Sequence, residues 1–336
     1  MSEKAKPGRL KEIDILYAFG VILTIIGHSH PNDWTTFPGK PIEFIYFFHM
    51  PLFFAIAGFL FARSDKLSKI GYASWIKEKT LRLLTPFFVI TAVSLVPKYF
   101  LEHKTLGGIT FKFILESFFA PRNSVWGHFW FLEVLFLFYC FFGAVFCLLF
   151  KTKKSTAPVS VLLLIAALCL HFVKTDILWL GLSDICAFSF YFVLGIVIQH
   201  INLAERKIKV LPSFAVGLVL TALSVTAYVY LGSGAVVSFV ISLLMLAALF
   251  LFSKALSCKE LKLAAFLSGN VFTFYIYSWP AQAAAEMLCT KFGFAWYVTC
   301  PIMFVVGVLF PVAIILVYGK LKFLHAAFFK RVLGVR

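Results

Sequence analysis

The sequence predicts an all-α integral membrane protein, a bundle of about ten transmembrane helices with both termini in the cytoplasm. Hydrophobic residues make up 61% of the 336 residues and charged residues only 14%, and the mean hydropathy is +0.94. A soluble domain carries roughly 25% charged residues, because its surface must remain largely polar. Apolar runs of about 20 residues, long enough to cross a bilayer as helices, follow one another along the chain. The composition therefore excludes soluble enzymes, disordered proteins and disulfide-stapled secreted domains.

Basic or polar segments separate the apolar runs and set the ends of each predicted helix. The first run continues into Gly27 and His28 without a small-residue cleavage site, so it is predicted to be an uncleaved helix and not a signal peptide. The basic segment 63–82 separates the second and third runs, and the polar segment 176–184 separates the fifth and sixth. We predict a single membrane domain over residues 1–336, with spans near 13–30, 42–62, 83–101, 129–150, 157–173, 184–200, 210–231, 234–253, 264–288 and 297–318.

The basic residues are distributed unevenly among the connecting segments. With the N-terminus placed in the cytoplasm, 24 of the 31 lysines and arginines fall on the cytoplasmic side. Cytoplasmic loops carry such an excess of positive charge, which sets topology and meets anionic lipid. Both termini are therefore predicted to be cytoplasmic. The net charge of +16 is assigned to topology and to contact with membrane lipids, and no nucleic-acid partner is expected.

The seven cysteines lie mostly inside apolar runs. They form no CxxC motif and no cysteine–histidine set at zinc spacing. We interpret them as small buried hydrophobic side chains and expect no structural disulfide, no metal site and no permanently bound cofactor.

Ionisable side chains inside the predicted spans are functional hypotheses, because each is costly in a bilayer. His28 and His49 are flanked by long apolar runs, and Glu133 is an acid within the apolar stretch from Phe131 to Leu135. Burial and a neighbouring carboxylate both tune the basicity of a histidine, as a general base requires. Glu133 also fits a structural role as the partner of another polar residue.

Further polar residues share the face of the first helix that carries His28. Tyr17 precedes His28 by eleven residues, about three helical turns, and Asp14 falls within about 40° of the same face. Such a stripe can line a path across the membrane, although three polar residues also share a face by chance. His128 lies close enough to the outer interface to be an ordinary loop residue. Trp130 fits either the interfacial aromatic belt or stacking on a sugar ring.

A basic pair comes just before the third run. Lys79 and Arg82 are three residues apart and can face one anionic ligand, and arginine is suited to bidentate contact with phosphate. The spacing alone fits equally well a pair of charges that only sets topology.

Six short motifs, in order over nearly the whole chain, resemble the acyltransferase-3 family of integral membrane O-acyltransferases. The resemblance is narrower to the fucose 4-O-acetylase-like branch of that family. Each motif is weak alone, but the ordered set is specific. The motifs are Arg9 and Ile13-Asp14 leading to Gly27-His28; Phe48-His49-Met50-Pro51-Leu52-Phe53-Phe54 with Ala57-Gly58-Phe59; Lys79-Thr80-Leu81-Arg82-Leu83-Leu84-Thr85-Pro86; Phe129-Trp130-Phe131-Leu132; Phe192-Val193-Leu194-Gly195; and Phe274-Tyr275-Ile276-Tyr277-Ser278-Trp279-Pro280.

The resemblance implies a bundle of about ten membrane helices, a cytoplasmic acyl-CoA donor, usually acetyl-CoA, and a carbohydrate acceptor. It implies that His28 is the catalytic histidine. The family carries a basic residue eleven positions earlier, where this chain has Tyr17, which can donate a hydrogen bond but brings no fixed charge. Arg9 is the cation that could replace it from the cytoplasmic end. Lys79 and Arg82 match the family's basic pair, which supports a role in binding the phosphates of CoA.

We therefore predict an O-acetyltransferase of the bacterial inner membrane. Its acceptor is expected to be a sugar of a lipid-linked intermediate, an exopolysaccharide or a capsule. His28 would act as general base, assisted by Glu133 and Tyr17, and a covalent acyl-histidine route is the alternative. The residues expected to line the substrate path are His49, Asp14, Trp130 and His128. Two other readings stay open: a transporter of polysaccharides or small molecules, and a non-catalytic subunit of a polysaccharide assembly complex.

Overall fold

A computed structural model describes residues 10–30, 39–102, 110–123, 125–152, 155–206 and 208–335. All regular secondary structure among these residues is helical, as the sequence predicts. In chain order the α-helices are α1 (Lys11–Gly27), α2 (Gly39–Tyr46), α3 (His49–Arg63), α4 (Lys66–Ile70), α5 (Tyr72–Lys79), α6 (Thr85–Glu102), α7 (Phe111–Phe119), α8 (Trp130–Lys151), α9 (Thr156–His171), α10 (Leu182–His200), α11 (Val210–Leu231), α12 (Ala235–Leu256), α13 (Lys262–Gly269), α14 (Val271–Lys291), α15 (Trp296–Lys320) and α16 (Ala327–Val332).

Seven helical segments of the described chain are long and apolar enough to cross a membrane, so the protein is a multi-pass membrane protein. They are Gly39–Arg63, Tyr72–Val96, Gly127–Lys151, Trp179–His200, Val210–Leu231, Ala235–Leu256 and Trp296–Lys320. The other three predicted runs correspond to α1, α9 and the pair α13–α14. Helices α1 and α9 have 17 and 16 residues. At 1.5 Å per residue each spans only about 25 Å, less than a hydrocarbon core of about 30 Å. The count of ten and the cytoplasmic termini remain predictions.

Two runs that look continuous in the sequence are broken in the structure. The run 42–62 forms α2 and α3, which are separated by a turn at Phe47 and Phe48. Pro51 falls in the first turn of α3, where a missing backbone N–H costs little. The hydroxyl of Ser242 donates to the Phe47 carbonyl, which lacks its helical donor because Pro51, four residues later, has no N–H. The break separates Tyr46 from His49 by one turn of irregular backbone.

The second broken run is 264–288, which forms α13 and α14 with Asn270 between them. The Asn270 side chain donates to the Phe266 carbonyl at 2.9 Å and so satisfies one of the acceptors at the end of α13. A π-helical turn, Thr80–Leu84, joins α5 to α6, so the third run begins eleven residues earlier than the predicted apolar stretch, at Tyr72. Such turns are rare in helices overall, and many of those that occur lie at functional sites.

The chain forms two units, each made of two separate stretches of sequence. Unit 1 comprises Met1–Ile56 and Ala204–Pro311, and within it α1 packs against α2, α12, α13 and α14. Unit 2 comprises Ala57–Leu203 and Val312–Arg336, and within it α8 packs against α5, α10 and the π-helical turn.

Glycine permits one close approach inside unit 2. A Cβ atom on Gly58 of α3 would lie 1.8 Å from the Phe192 carbonyl oxygen, so any larger residue would force α3 away from α10. On the outside of the units, large apolar side chains such as Leu211 and Phe111 are 79% and 76% exposed. Lipid contact accounts for such surfaces in a membrane protein, because acyl chains are as apolar as the side chains themselves.

Candidate active site

The predicted catalytic histidine lies where α1 ends, in unit 1. His28 has left the helical conformation (φ −95°, ψ 2°), while its N–H still donates to the Thr24 carbonyl at 3.1 Å. The preceding residue is glycine for a steric reason. A Cβ atom on Gly27 would lie 3.3 Å from a ring carbon of Tyr46, so the glycine lets this ring approach the helix end. The His28 side chain is half-buried.

Tyr46, at the last position of α2, brings three histidines together. Its hydroxyl lies 3.2 Å from His28 Nδ1, and its ring meets the ring of His28 edge-on, with the centroids 5.9 Å apart. The rings of His49 and His30 contact Tyr46 in the same way, with centroid distances of 4.8 and 6.4 Å. We call His28, His30 and His49 the histidine cluster. Trp279 of α14 contacts the His28 ring at 6.2 Å.

Hydrogen bonds fix the proton positions in part of the histidine cluster. His49 Nδ1 lies 3.0 Å from the Ile45 carbonyl, and because a carbonyl only accepts, Nδ1 carries the proton. The Nε2 atom of neutral His49 is then an acceptor. For His28 both directions are open, because the Tyr46 hydroxyl can donate to Nδ1 or accept from it. Only the second arrangement leaves Nε2 of His28 unprotonated and able to take a proton from a substrate.

The other end of α1 carries the predicted polar stripe, and its residues are already engaged. Asp14 accepts a hydrogen bond from the Ser268 hydroxyl at 2.6 Å. It also lines a cavity of about 130 Å³ together with Lys11, Lys259 and Glu260. Tyr17 packs its ring against Phe53, with the centroids 6.3 Å apart. Arg9, the predicted replacement cation, lies outside the described residues.

Glu133 belongs to a separate charged region in unit 2, near the first turn of α8. It is 7% exposed, and its Oε2 atom has no hydrogen-bond partner among the described residues. Asp184, in the first turn of α10, is a second buried acid, 4% exposed. Gly181 allows this arrangement, because it adopts φ 60° and a Cβ there would lie 2.6 Å from the Val134 side chain. Asp184 accepts two hydrogen bonds from Arg122, 2.7 Å from Nε and 2.5 Å from Nη2.

Trp130 and His128 lie close to this charged region in the chain but differ in surroundings. Trp130 is 8% exposed, with the Arg122 guanidinium 4.3 Å from its ring centre and Phe188 stacked on it at 5.0 Å. These contacts leave little of its surface exposed, and stacking on a sugar ring stays a prediction. His128 is half-buried in a short 3₁₀ turn, with its ring 4.5 Å from that of Phe129.

The predicted phosphate-binding pair lies at the π-helical turn of unit 2. Lys79 is the residue before the turn, and its Nζ atom lies 4.2 Å from the Tyr139 ring centre and 4.9 Å from that of Trp75. Aromatic faces stabilise an ammonium group in this position. Arg82 lies within the turn and its side chain is exposed. The wider spacing of a π turn rotates the two side chains further apart than an α-helix would.

The structure brings some predicted site residues together within unit 1, and others belong to unit 2. His28 and His49 share Tyr46 in unit 1, whereas Glu133, His128 and Trp130 lie at one end of α8 in unit 2. The predicted action of Glu133 on His28 stays a prediction. Sequence reasoning missed two residues that the contacts above single out, Tyr46 and Arg122. Their polarity beside apolar runs was the only sequence feature that could have indicated them. Tyr46 is one of twelve tyrosines, so its polarity alone does not distinguish it.

Comparison with known families supports the resemblance seen in the motifs. The acyltransferase-3 family model, described as an acyltransferase domain, matches residues 10–319. Members of this family are acyltransferases, and O-acetyltransferases are among them. No curated protein and no solved structure matches the chain. The matched region includes most of both units, from α1 to the last turn of α15.

Proposed function

The chain belongs to the acyltransferase-3 family and is a membrane acyltransferase, and we propose that it transfers an acetyl group from acetyl-CoA to a carbohydrate hydroxyl. The acetyl donor and the sugar acceptor are supported by the resemblance of its motifs to the fucose 4-O-acetylase-like branch. A sugar of a lipid-linked intermediate, an exopolysaccharide or a capsule is the proposed acceptor. The proposed location is the bacterial inner membrane, with acetyl-CoA bound from the cytoplasm.

The contact between His28 and Tyr46 is the observation that carries the proposed mechanism. Nε2 of His28 takes the proton of the acceptor hydroxyl, and the hydroxyl oxygen attacks the carbonyl carbon of the thioester. The carbon–sulfur bond then breaks, the sugar ester forms, and the CoA thiolate takes the proton from the imidazolium. Atoms and charge balance without a further co-reactant. Base action at Nε2 requires the Nδ1–H tautomer, in which His28 donates to the Tyr46 hydroxyl oxygen at 3.2 Å.

Tyr46 orients His28 but stays neutral, so it does not supply the negative charge that stabilises an imidazolium. A carboxylate supplies that charge more effectively. Glu133 is the proposed source, because it is a buried acid with an Oε2 atom that has no partner among the described residues. Tyr17 is also proposed to assist the reaction, and its ring packs against Phe53.

Donor binding is proposed for the basic pair of unit 2. Arg82 is exposed and its guanidinium fits bidentate contact with a CoA phosphate. Lys79 is held on two aromatic rings and provides a positive charge with a fixed position. Arg9 is proposed as a further phosphate contact on the strength of the motif alone. Asp14 and His49 are proposed to line the path of the substrate.

The test compares surface glycans of a strain that lacks the chain after complementation with the wild type, His28→Ala or His325→Ala. His325 is the matched control, because it is an exposed histidine whose Nε2 lies 2.9 Å from the Tyr318 carbonyl. We expect the wild type and His325→Ala to restore the O-acetyl signals in the NMR spectrum. His28→Ala should not restore them, because a positioned base contributes about 10²–10⁴-fold.

Equal amounts of each variant in the membrane fraction are the condition for comparing them. Full O-acetylation with His28→Ala would contradict the proposed mechanism. A deletion strain that keeps its O-acetyl groups but retains glycan inside the cell would favour a transporter instead.

A further inference from the structure

A buried amide in α14 holds the backbone on both sides of the proposed catalytic histidine. Gln282 is fully buried, and its Nε2 atom donates to the Ile25 carbonyl at 2.8 Å and to the Ser29 hydroxyl at 2.7 Å. The Ser29 hydroxyl in turn donates to the same carbonyl at 2.7 Å. These three residues form a closed set of hydrogen bonds, and His28 lies in the chain between two of its members.

The end of α1 depends on these bonds because the last carbonyls of a helix have no partner within the helix. The His28 N–H donates to the Thr24 carbonyl, and the Ser29 N–H donates to the Ile26 carbonyl at 2.9 Å. The carbonyl of Ile25 is satisfied by the side chains of Gln282 and Ser29. A neighbouring helix therefore caps α1, which fixes the residue that follows the helix end.

Space for the Gln282 side chain is provided by a glycine in α15. A Cβ atom on Gly307 would lie 2.8 Å from both Cγ and Cδ of Gln282, so a larger residue would displace the amide. The amide also has a cost. Because only its nitrogen can face the Ile25 carbonyl, Oε1 remains buried without a hydrogen-bond partner among the described residues. A site selected for stability alone would be filled more cheaply by an apolar side chain.

We infer that Gln282 is a positioning residue, which sets the place and orientation of His28 by capping α1. Trp279, almost one turn earlier in α14, contacts the His28 ring, so one helix contacts both the backbone and the imidazole. The inference rests on the proposed function of His28 as general base. Misplacing a catalytic group by about 1 Å can cost 10²-fold in rate.

The test measures transfer from acetyl-CoA by the purified full chain in lipid nanodiscs, with a lipid extract of the deletion strain as acceptor. Gln282→Met keeps the length of the side chain but removes both donors. We expect kcat to fall about tenfold or more while the KM for acetyl-CoA is unchanged, because the lost bonds act on His28 and not on donor binding. Gln199→Met in α10 of unit 2 is the matched control and should keep the wild-type kcat.

Two further variants make the test independent of one substitution. Gly307→Ala leaves Gln282 in the sequence but displaces its amide, so it should reproduce the kcat effect of Gln282→Met. Gln282→Glu keeps one donor in its protonated form, so at low pH its rate relative to the wild type should exceed that of Gln282→Met. A purely structural role would not separate these two variants in this way.

The possible results distinguish a failure of the Gln282 inference from a failure of the proposed function. Gln282→Met and Gly307→Ala within twofold of the wild-type kcat would overturn the positioning role. So would a loss of kcat that is matched by an equal rise in KM and a lower melting temperature. If His28→Ala also keeps the wild-type kcat, the proposed function itself fails, whatever the result at Gln282.

Discussion

The surroundings of His28 in unit 1 and of Glu133 in unit 2 differ in the charge of their described neighbours. His28 meets the neutral rings of Tyr46 and Trp279, and its backbone is held by a neutral amide. Glu133 lies near Asp184, which is bound by Arg122, so fully charged groups dominate there. The Tyr46 hydroxyl and the surrounding rings can orient the imidazole of His28, whereas the pair of Arg122 and Asp184 fixes the local structure beside Glu133.

The same contrast occurs along α1 itself. Its first turn carries Glu12, whose carboxylate lies 3.0 Å from the Lys254 ammonium, and both side chains are largely buried. Asp14 follows with its bond from Ser268. At the far end the described partners of the helix are neutral. Electrostatic contacts therefore anchor the beginning of α1, whereas directional hydrogen bonds define its end, where the proposed chemistry takes place.

The largest expected effect is on the stability of unit 2. Arg122→Ala would leave Asp184, whose side chain is 6% exposed, without its cation. The Arg122 side chain is 41% exposed, so the loss should lie between the value of less than about 1 kcal/mol for an exposed pair and the value of about 3 kcal/mol or more for a buried one. We expect a clearly lower melting temperature for the purified protein. Lys112→Ala is the control, because its pair with Glu116 is exposed and worth less than about 1 kcal/mol. Equal melting temperatures would show that Arg122 and Asp184 are not a structural pair.

Glu133→Gln tests whether the charged region of unit 2 also takes part in acetyl transfer. The substitution keeps the shape of the side chain and removes its charge. If Glu133 stabilises the imidazolium of His28, kcat should fall roughly 100-fold, a loss of about 2.7 kcal/mol of transition-state stabilisation. The melting temperature should not fall, because a buried charge has been removed. Unchanged kcat would confine Glu133 to the structure of unit 2.

Arg82→Ala tests donor binding. A hydrogen bond to a charged group contributes about 1.5–3 kcal/mol, so the affinity for CoA should weaken about tenfold or more. The effect should be greater at low salt, because the exposed guanidinium is screened by ions. Isothermal titration with CoA measures it. Lys77→Ala, an exposed lysine in the same segment, is the control. Equal affinities for all three proteins would assign Arg82 to topology alone.

Tyr46→Phe has the smallest expected effect. It removes the hydroxyl beside His28 Nδ1 and keeps the ring contacts with His49 and His30. One neutral hydrogen bond contributes about 1 kcal/mol, so kcat should fall about fivefold. Tyr277→Phe is the control, because it also removes the hydroxyl of a half-buried tyrosine, on α14. If both variants have the same kcat, the Tyr46 hydroxyl has no role in orienting His28.

The sequence carries most of the information on the helices and little on how their side chains meet. Apolar runs locate the helices because membrane burial demands them. The break after Tyr46 cannot be predicted from the sequence, since Phe47 and Phe48 continue the apolar run. Ser242, whose hydroxyl donates to the carbonyl at the break, is almost 200 residues away in the chain. Arg122 and Asp184 are likewise 62 residues apart. Such pairs depend on tertiary packing, which residue spacing along one helix does not encode.

The same limit applies to the predicted site residues: the sequence shows their polarity but not their tertiary contacts. His28 and His49 were singled out as polar residues among apolar ones, and both lie against Tyr46. Trp130 was open to two interpretations from the sequence, and its contacts with Arg122 and Phe188 appear only in the structure. Gln282 lay in a run already assigned to a helix, so only the bonds to Ile25 and Ser29 reveal it.

The most direct test of His28 as the proton acceptor is the pH dependence of transfer by the wild type and His28→Ala. A general base works only when unprotonated, so the wild-type kcat should fall tenfold per pH unit on the acidic side of its profile. His28→Ala should give a residual rate that lacks this limb between about pH 5 and 8, the range in which histidines titrate. A variant that keeps both the wild-type rate and the acidic limb would contradict the assignment.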